Sequence, residues 1–548
     1  MKHKFTHRAG GALLLATSIA ALMSSPALAY DGSGADYFAY DGGMSLESPT
    51  GSLLDHAVGG GHAGASLGVS FAGVSQVDVR ALHSNYSEIP PDTMGAVGAT
   101  QFMETSNGAY AVYNKATGAQ QLLIGDGAFW AAAGQPGSNG AQGFSNGDSR
   151  ILYDAPSQRW IVESFGADVS QIQIAVSDTS DALGSWKSTT FTGYAGGIAD
   201  YPTLAIDSKA VYIGTNDFGG ANNTFQGTTL NVISRDDLLG SGAPAATSLK
   251  QFFTPYAGET AATDRGYAIQ GVNQVGGTDS GKILAVGAFN YGAVTYSVNN
   301  PGAAGATESA IKIVDPTPYA SNQMALQPDG TRNIDASDDR YSGAVYEYKG
   351  NIYAVHTITP LGAAHTVLQL SVVNATTGAL VQETTIGDGV HDFYQGSLAI
   401  NKGGQVVVGY NESGLDMNVS IYATAFNPNG NGSGSLVASG APVLIYTSPI
   451  GDYHNGSVAG SPSVGRQRWG DYAQVTVDPN DPQSFWVVGE YALGYLPNPT
   501  ASFSRWGTYI SDINIAAVPE PASWALMLAG FGLVGASMRR RAKVAAAA

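Results

Sequence analysis

The sequence predicts an all-β fold, a β-propeller of seven four-stranded blades, and three features carry that prediction. From about residue 65 to Ala517, apolar residues do not recur at helical spacing. Short runs of β-branched and aromatic residues alternate there with Gly, Asn, Asp and Pro, the pattern of strands and turns. Those runs stack into a repeat of four, and an Asp stands ahead of the first strand of each repeat.

The clearest repeats are TLAID, AVYIGTN, LNVISR and SLKQFF within 203–253, and ILYDA, RWIVESF, IQIAVS and WKSTTF within 151–191. Two more are SLAIN, QVVVGYN, VSIYATAF and PVLIYT within 397–447, and AVYEY, NIYAVHTI, VLQLSVV and VQETTI within 344–386. Four strands at this spacing are the unit of a propeller blade. Less regular copies begin near Ala96, Tyr267 and Ala473, which makes seven; sequence alone leaves six or eight open. The last copy, AQVTVD, SFWVVGE and GTYISDIN, lacks a fourth strand. An unpaired sheet edge invites association with other chains. The spare run Leu67–Val79 is therefore expected to pair beside Gly507–Asn514 and close the ring.

Composition narrows the partners. The 548 residues carry a formal net charge of −18, which disfavours nucleic acid. With no cysteine, disulfides and thiolate chemistry are excluded. Lys2, Lys4 and Arg8 precede the apolar stretch Gly11–Met23, and Ala27-Leu28-Ala29 is a small-x-small cleavage site. Residues 1–29 thus read as a secretory signal peptide. Residues 30–65 form a Gly-rich linker, 66–516 the propeller and 517–548 a C-terminal anchor. In that last segment Pro519-Glu520-Pro521 comes first, then apolar Ala522–Ser537 with Trp524 near its outer edge, then Arg539-Arg540-Arg541. An aromatic at one interface and a basic cluster at the other suit a short, transient single-pass helix in the inner membrane.

The string VPEPASWALMLAGFGLVGASMRRR resembles the PEP-CTERM sorting signal of exopolysaccharide-producing Gram-negative bacteria. The resemblance implies recognition and cleavage by an exosortase near Pro519–Pro521, then transfer to the cell surface or release. Residues 90–118, PPDTMGAVGATQFMETSNGAYAVYNKATG, resemble the opening of a group of secreted bacterial propellers, and RWGDYAQVTVDP at 468–479 resembles their last blade. That likeness implies a fold and no activity. The turn Ser177–Trp186 loosely resembles the Asp-box of sialidase-like propellers, a structural element away from the catalytic centre.

The recurring acids are Asp92, Asp148, Asp200, Asp264, Asp339, Asp392 and Asp471. Inner propeller strands start from one face, so these side chains are expected around one end of the channel. Tyr201, Tyr341 and Trp469 stand beside Asp200, Asp339 and Asp471. The expected ligand set is Asp92, Asp200, Tyr201, Asp339, Tyr341, Trp469 and Asp471. Carboxylates with aromatic platforms suit sugars, and carboxylates alone suit Ca²⁺, the one cofactor considered. Against this, an Asp at a turn more often caps nearby backbone N–H groups. Arg150, Arg265, Arg340 and Arg468 also stand at strand starts and could converge on an acidic sugar. Nucleotide-loop and nucleophile-elbow matches at Gly59–Gly64, Gly276–Lys282 and Gly64–Gly68 lack the flanking strand and helix those motifs need. The histidines offer no zinc-binding pair in the mature chain, and His391 and His454 stand alone.

The favoured function is a non-catalytic surface or matrix protein that binds exopolysaccharide or other surface proteins. The alternatives are an extracellular glycoside hydrolase or lyase working in the same channel, and a purely structural surface protein.

Overall fold

A computed structural model describes residues 53–54, 64–135, 147–166, 168–220, 223–276, 281–288, 292–430, 432–455, 466–496, 503–516 and 531. The signal peptide with Ala27 and Ala29, most of the Gly-rich linker, and the sorting segment but for Phe531 lie outside them. Among the described residues no helix is long and apolar enough to cross a membrane.

The body is all-β, and its strands run in successive antiparallel groups in a propeller-like arrangement. The first group is Met94–Val97, Gln101–Ser106, Ala109–Asn114 and Gln120–Gly125; the second runs from Arg150–Asp154 to Trp186–Thr192. The third runs from Gly197–Asp200 to Lys250–Pro255, the fourth from Tyr267–Gln274 to Lys312–Val314, and the fifth from Val345–Tyr348 to Leu380–Ile386. The sixth begins at Asp392–Ile400 and ends at Val443–Thr447. Gln474–Val477, Ser484–Leu496 and Phe503–Asn514 start the seventh. The four clear sequence repeats fall on these groups. One feature departs from a plain repeat: Tyr267–Gln274 and Val345–Tyr348 pair in parallel through Val272↔Val345 to Gln274↔Glu347, fusing the fourth and fifth groups into one 11-stranded sheet.

Packing explains why the second strands are buried almost throughout. Val406–Ser413 is buried at every residue because both faces of its sheet are covered. Val407 and Ile421 of the sixth group meet Val475, Phe485 and Ile513 of the seventh. Trp486 and Val488 of the seventh meet Phe102 and Tyr113 of the first. Outer strands are half-wet: Lys250–Pro255 alternates regularly between exposed and partly buried residues. Glycine in the second strand permits close approach. A Cβ on Gly214 would lie 2.2 Å from the Ile269 carbonyl oxygen, and one on Gly409 would lie 2.8 Å from Val487 Cγ1.

The fourth strand of the seventh sheet comes from the other end of the chain. Ser66–Ser75 pairs antiparallel with Phe503–Asn514, in register from Ser66↔Asn514 to Ser75↔Gly507. The strand stops at Ser75, four residues before the predicted end at Val79. Gln76–Leu82 is a helix instead, because Ser75 and Asp78 form a capping box: the Ser75 hydroxyl accepts from Asp78 N, and the Asp78 carboxylate accepts from Ser75 N. Apolar alternation in LGVSFAGVSQVDV hid this signal.

Candidate functional site

The acids ahead of the first strands divide into two groups. Asp92, Asp148, Asp200 and Asp471 come together, each within electrostatic reach of the others. Asp92 is their anchor. Its Oδ1 accepts from the Asp471 backbone N at 2.7 Å, and its Oδ2 accepts from Asn107 Nδ2 at 2.8 Å. Asn107 Oδ1 in turn accepts from Asp148 N at 2.9 Å. One hydrogen-bonded chain therefore ties the seventh, first and second groups. Asp92 and Asp148 both hold positive φ, 47° and 54°, a region Asp tolerates better than most residues.

The other three acids are engaged elsewhere. Asp264 accepts from Gly266 N and Ala288 N, as a turn cap does. Asp392, fully buried, accepts from Leu326 N and Thr366 N and pairs with Arg332. Asp339 accepts from the hydroxyls of Tyr267 and Tyr319.

Three of the four arginines converge on the acid cluster. Arg468 Nη2 donates to Asp471 Oδ2 at 2.7 Å. Arg340 makes two hydrogen bonds to Asp338, and its guanidinium lies 5.0 Å from the Tyr201 ring centre. Arg150 links separate strand groups. It starts on the second group, donates Nη1 to the Ser342 carbonyl at 2.9 Å, and stacks 3.6 Å above the Tyr472 ring. Its guanidinium is also 5.2 Å from Tyr201. Arg265 lies apart, donating to the Ser309 carbonyl and facing Glu308.

Of the predicted aromatic platforms, Tyr201 lies in the cluster, 5.9 Å from Tyr472. Tyr341 is buried and stacks on His356 at 4.6 Å. Trp469 is fully buried, its edge against Tyr453, and donates Nε1 to Asn411 Oδ1. Sequence reading missed Glu163 as a member, and Tyr472, which follows Asp471 directly, stood beside a recurring acid but outside the expected ligand set. Glu163 is the register partner of Arg150 and fully buried. Its place opposite Arg150 in the hairpin was the available signal. Arg150 Nε and Nη2, both Glu163 oxygens, Asp200 Oδ1 and the Tyr472 hydroxyl make no hydrogen bond among the described residues. Asp471 and Asp338 keep partial exposure and form the solvent side of the cluster.

Burial dominates the electrostatics. It pushes Asp148 up to about 8, helped by Asp200, and Asp200 up to about 7 against the opposing charge of Arg340. Asp92 and Glu163 are raised well above the carboxylate range, again chiefly by burial. A raised folded pKa favours the protonated, folded form, so this contribution is complete below about pH 4 and is lost as pH climbs through about 7 to 8. Thermal unfolding should accordingly show a melting temperature falling between about pH 5 and pH 9, and Asp148→Asn with Asp200→Asn should flatten that slope. An equal slope in the double variant would show that other groups set it.

A second cluster corrects the reading of His391 as isolated. Asp388, His391 and Glu412 each offer a ligand atom, all within 4.8 Å of one another. The Asp388-x-x-His391 spacing was visible in sequence. Glu412 arrives through the pairing Phe393↔Glu412, which was not. His454 Nε2 lies 2.7 Å from Asp329 Oδ2.

The fold thus defines an all-β protein with a cluster of buried acidic, basic and phenolic groups. Residues 517–541 match the PEP-CTERM protein-sorting motif, so the chain is an exported protein that an exosortase processes for the cell surface. No curated protein matches the sequence. Among solved structures, it is similar to a protein of unknown function from Dyadobacter fermentans, at 11% identity and TM-score 0.34, covering 78% of this chain and 94% of that one. It is similar to an endo-arabinase from Bacteroides thetaiotaomicron, at 12% identity and TM-score 0.29, covering 68% and 94%. A polysaccharide lyase of family PL25, an ulvan lyase, matches at 12% identity and TM-score 0.28, covering 82% and 83%. These likenesses are too distant to transfer an activity.

Proposed function

We propose that this protein is a seven-bladed propeller, closed by Ser66–Ser75, that reaches the cell surface after loss of residues 1–29 and of the sorting tail, and there binds carbohydrate of the exopolysaccharide matrix. The axial cluster is the binding site. The observation that carries the reading is the set of buried groups with open hydrogen-bonding capacity: donors on Arg150, acceptors on Asp200 and Glu163, and the Tyr472 hydroxyl. Buried polar groups are nearly always paired, so an open set that mixes donors and acceptors beside aromatic rings suits a polyhydroxyl ligand. Three guanidinium groups at the same place repel a bare cation, which makes Ca²⁺ the weaker candidate there.

Chain direction supports the surface role. The register Ser484↔Asn514 and Val477↔Phe485 puts Asn514 and Ser66 at the end of their sheet opposite Asp471. A protein joined to the surface at its processed C-terminus then presents the axial cluster away from the point of attachment.

Screening the exported protein on a glycan array, with and without Ca²⁺, tests the reading. Asp92 is a poor position for substitution, because Asn there would oppose the Asn107 amide. Asp200→Asn with Tyr472→Phe alters the open Asp200 Oδ1 and Tyr472 hydroxyl and should weaken glycan binding about tenfold, the loss of a hydrogen bond or two, with little change in melting at about pH 5, below the range in which Asp200 titrates. A wild-type protein that retains no glycan overturns the proposal.

One observation favours a second reading, an extracellular hydrolase or lyase: burial raises the Asp148 carboxyl to about 8 and that of Asp200 to about 7, toward the protonated form a general acid needs. Release of new reducing ends from a bound polysaccharide separates the two readings.

A further inference from the structure

The turn before Asp392–Ile400 and the turn after Val406–Ser413 bring a different chemistry together. His391 Nδ1 lies 2.5 Å from Asp388 Oδ2 and 3.3 Å from Glu412 Oε1. Nε2 of the same ring lies 2.9 Å from Asp416 Oδ1. The Glu412 side chain is fully buried, fixed by its strand and aimed at the ring, whereas Asp416 is largely exposed.

We propose that Asp388, His391 and Glu412 form a binding site for a divalent transition-metal ion, with Asp416 as a positioning residue. One imidazole nitrogen and two carboxylates are a donor set for Zn²⁺ and its neighbours. Ca²⁺ prefers six to eight oxygen ligands, so the nitrogen selects against it. Bonds of about 2.0–2.1 Å set adjacent tetrahedral ligand atoms about 3.3 Å apart. Glu412 already stands at that distance from Nδ1, and Asp388, on a partly exposed turn, needs to withdraw by about 1 Å. A ligating histidine almost always gives its other N–H to a carboxylate, which fixes ring and tautomer. Asp416 is placed to accept that bond, which leaves the Nδ1 lone pair facing Asp388 and Glu412.

Binding is an exchange. In the imidazolium form of the metal-free cluster, with both ring nitrogens protonated, the proton on Nδ1 bridges to Asp388. The incoming ion takes the Nδ1 lone pair, that N–H bond breaks, and the proton leaves to solvent. A divalent ion suits the carboxylates gathered around this one ring. The ion ties the turn of residues 388–391 to that of 414–417. This site is separate from the axial cluster and stands or falls apart from it.

The test is calorimetric titration of Zn²⁺ into the exported protein after EDTA treatment, repeated with Co²⁺ while recording its visible absorption. The wild type should bind one ion here, with the absorption of four-coordinate Co²⁺. Asp388→Asn and Glu412→Gln should each weaken binding about tenfold or more, and Asp416→Asn about tenfold. Ca²⁺ should not compete. Asp388 is partly exposed, so its variant decides the matter if the Glu412 variant fails to fold. Absence of saturable Zn²⁺ binding, or equal affinity in wild type and Asp388→Asn, overturns the proposal.

Discussion

Removing residues 66–75 should lower the melting temperature by about 10 °C or prevent folding. Phe71 packs on Tyr113, and Val74 is fully buried within the contact between the seventh and first groups. Burying each such side chain contributes about 1.5–3 kcal/mol. The strand also satisfies a buried acid. Glu104 accepts from Val74 N at 2.9 Å and from Thr93, Tyr113 and Thr508, so four segments meet on one carboxylate. Without the strand, Glu104 loses a backbone donor, the Thr508 hydroxyl loses the Val74 carbonyl, and Phe503–Asn514 becomes an open edge. Unmet buried groups cost about 1–3 kcal/mol each. The sum rivals the whole stability of an ordinary domain, about 5–15 kcal/mol. Calorimetry of the truncated protein beside Glu104→Gln checks the argument. An unchanged transition would mean that Ser66–Ser75 only decorates a sheet that is stable without it.

Arg150→Ala should cost about 3–5 kcal/mol, the penalty for removing one side of a buried charge arrangement. The guanidinium joins the Ser342 carbonyl, Met94, Tyr472 and Tyr201, which belong to different strand groups. It is also the positive charge facing Glu163 and Asp148. Arg150→Lys keeps the charge but loses the flat stacking and the fork of donors, and should lie between wild type and alanine. Urea unfolding of the three proteins gives the ordering. If alanine falls within about 0.5 kcal/mol of wild type, the level of an ordinary surface change, Arg150 does not hold these strand groups together.

The strands were legible because each blade is a local object. TLAID-AVYIGTN or SLAIN-QVVVGYN carries its own β-branched runs, its turn and its leading Asp, and neighbours in sequence are neighbours in the sheet. The pairing of Leu67 onward with Gly507–Asn514 followed from counting, since one unit lacked a strand and one strand lacked a unit. The sorting motif was legible for a similar reason, being a contiguous string that a processing enzyme reads as such. What sequence misjudged locally was the Ser75–Asp78 cap, where helix and strand signals overlapped.

The sites were decided by tertiary structure. Seven aspartates share one sequence position, yet only Asp92, Asp148, Asp200 and Asp471 meet, because Asp264, Asp339 and Asp392 are taken by Gly266, by Tyr267 and Tyr319, and by Arg332. Trp469 and Tyr472 stand three residues apart, and one packs in the core while the other carries Arg150. Glu412 reaches His391 only through the register of two strands. Sequence fixes which groups a strand carries, because propensity and alternation act over a few residues. Which of those groups face one another depends on how neighbouring sheets pack, at a distance set by side-chain volumes and by glycines such as Gly214 and Gly409, and no local pattern records it.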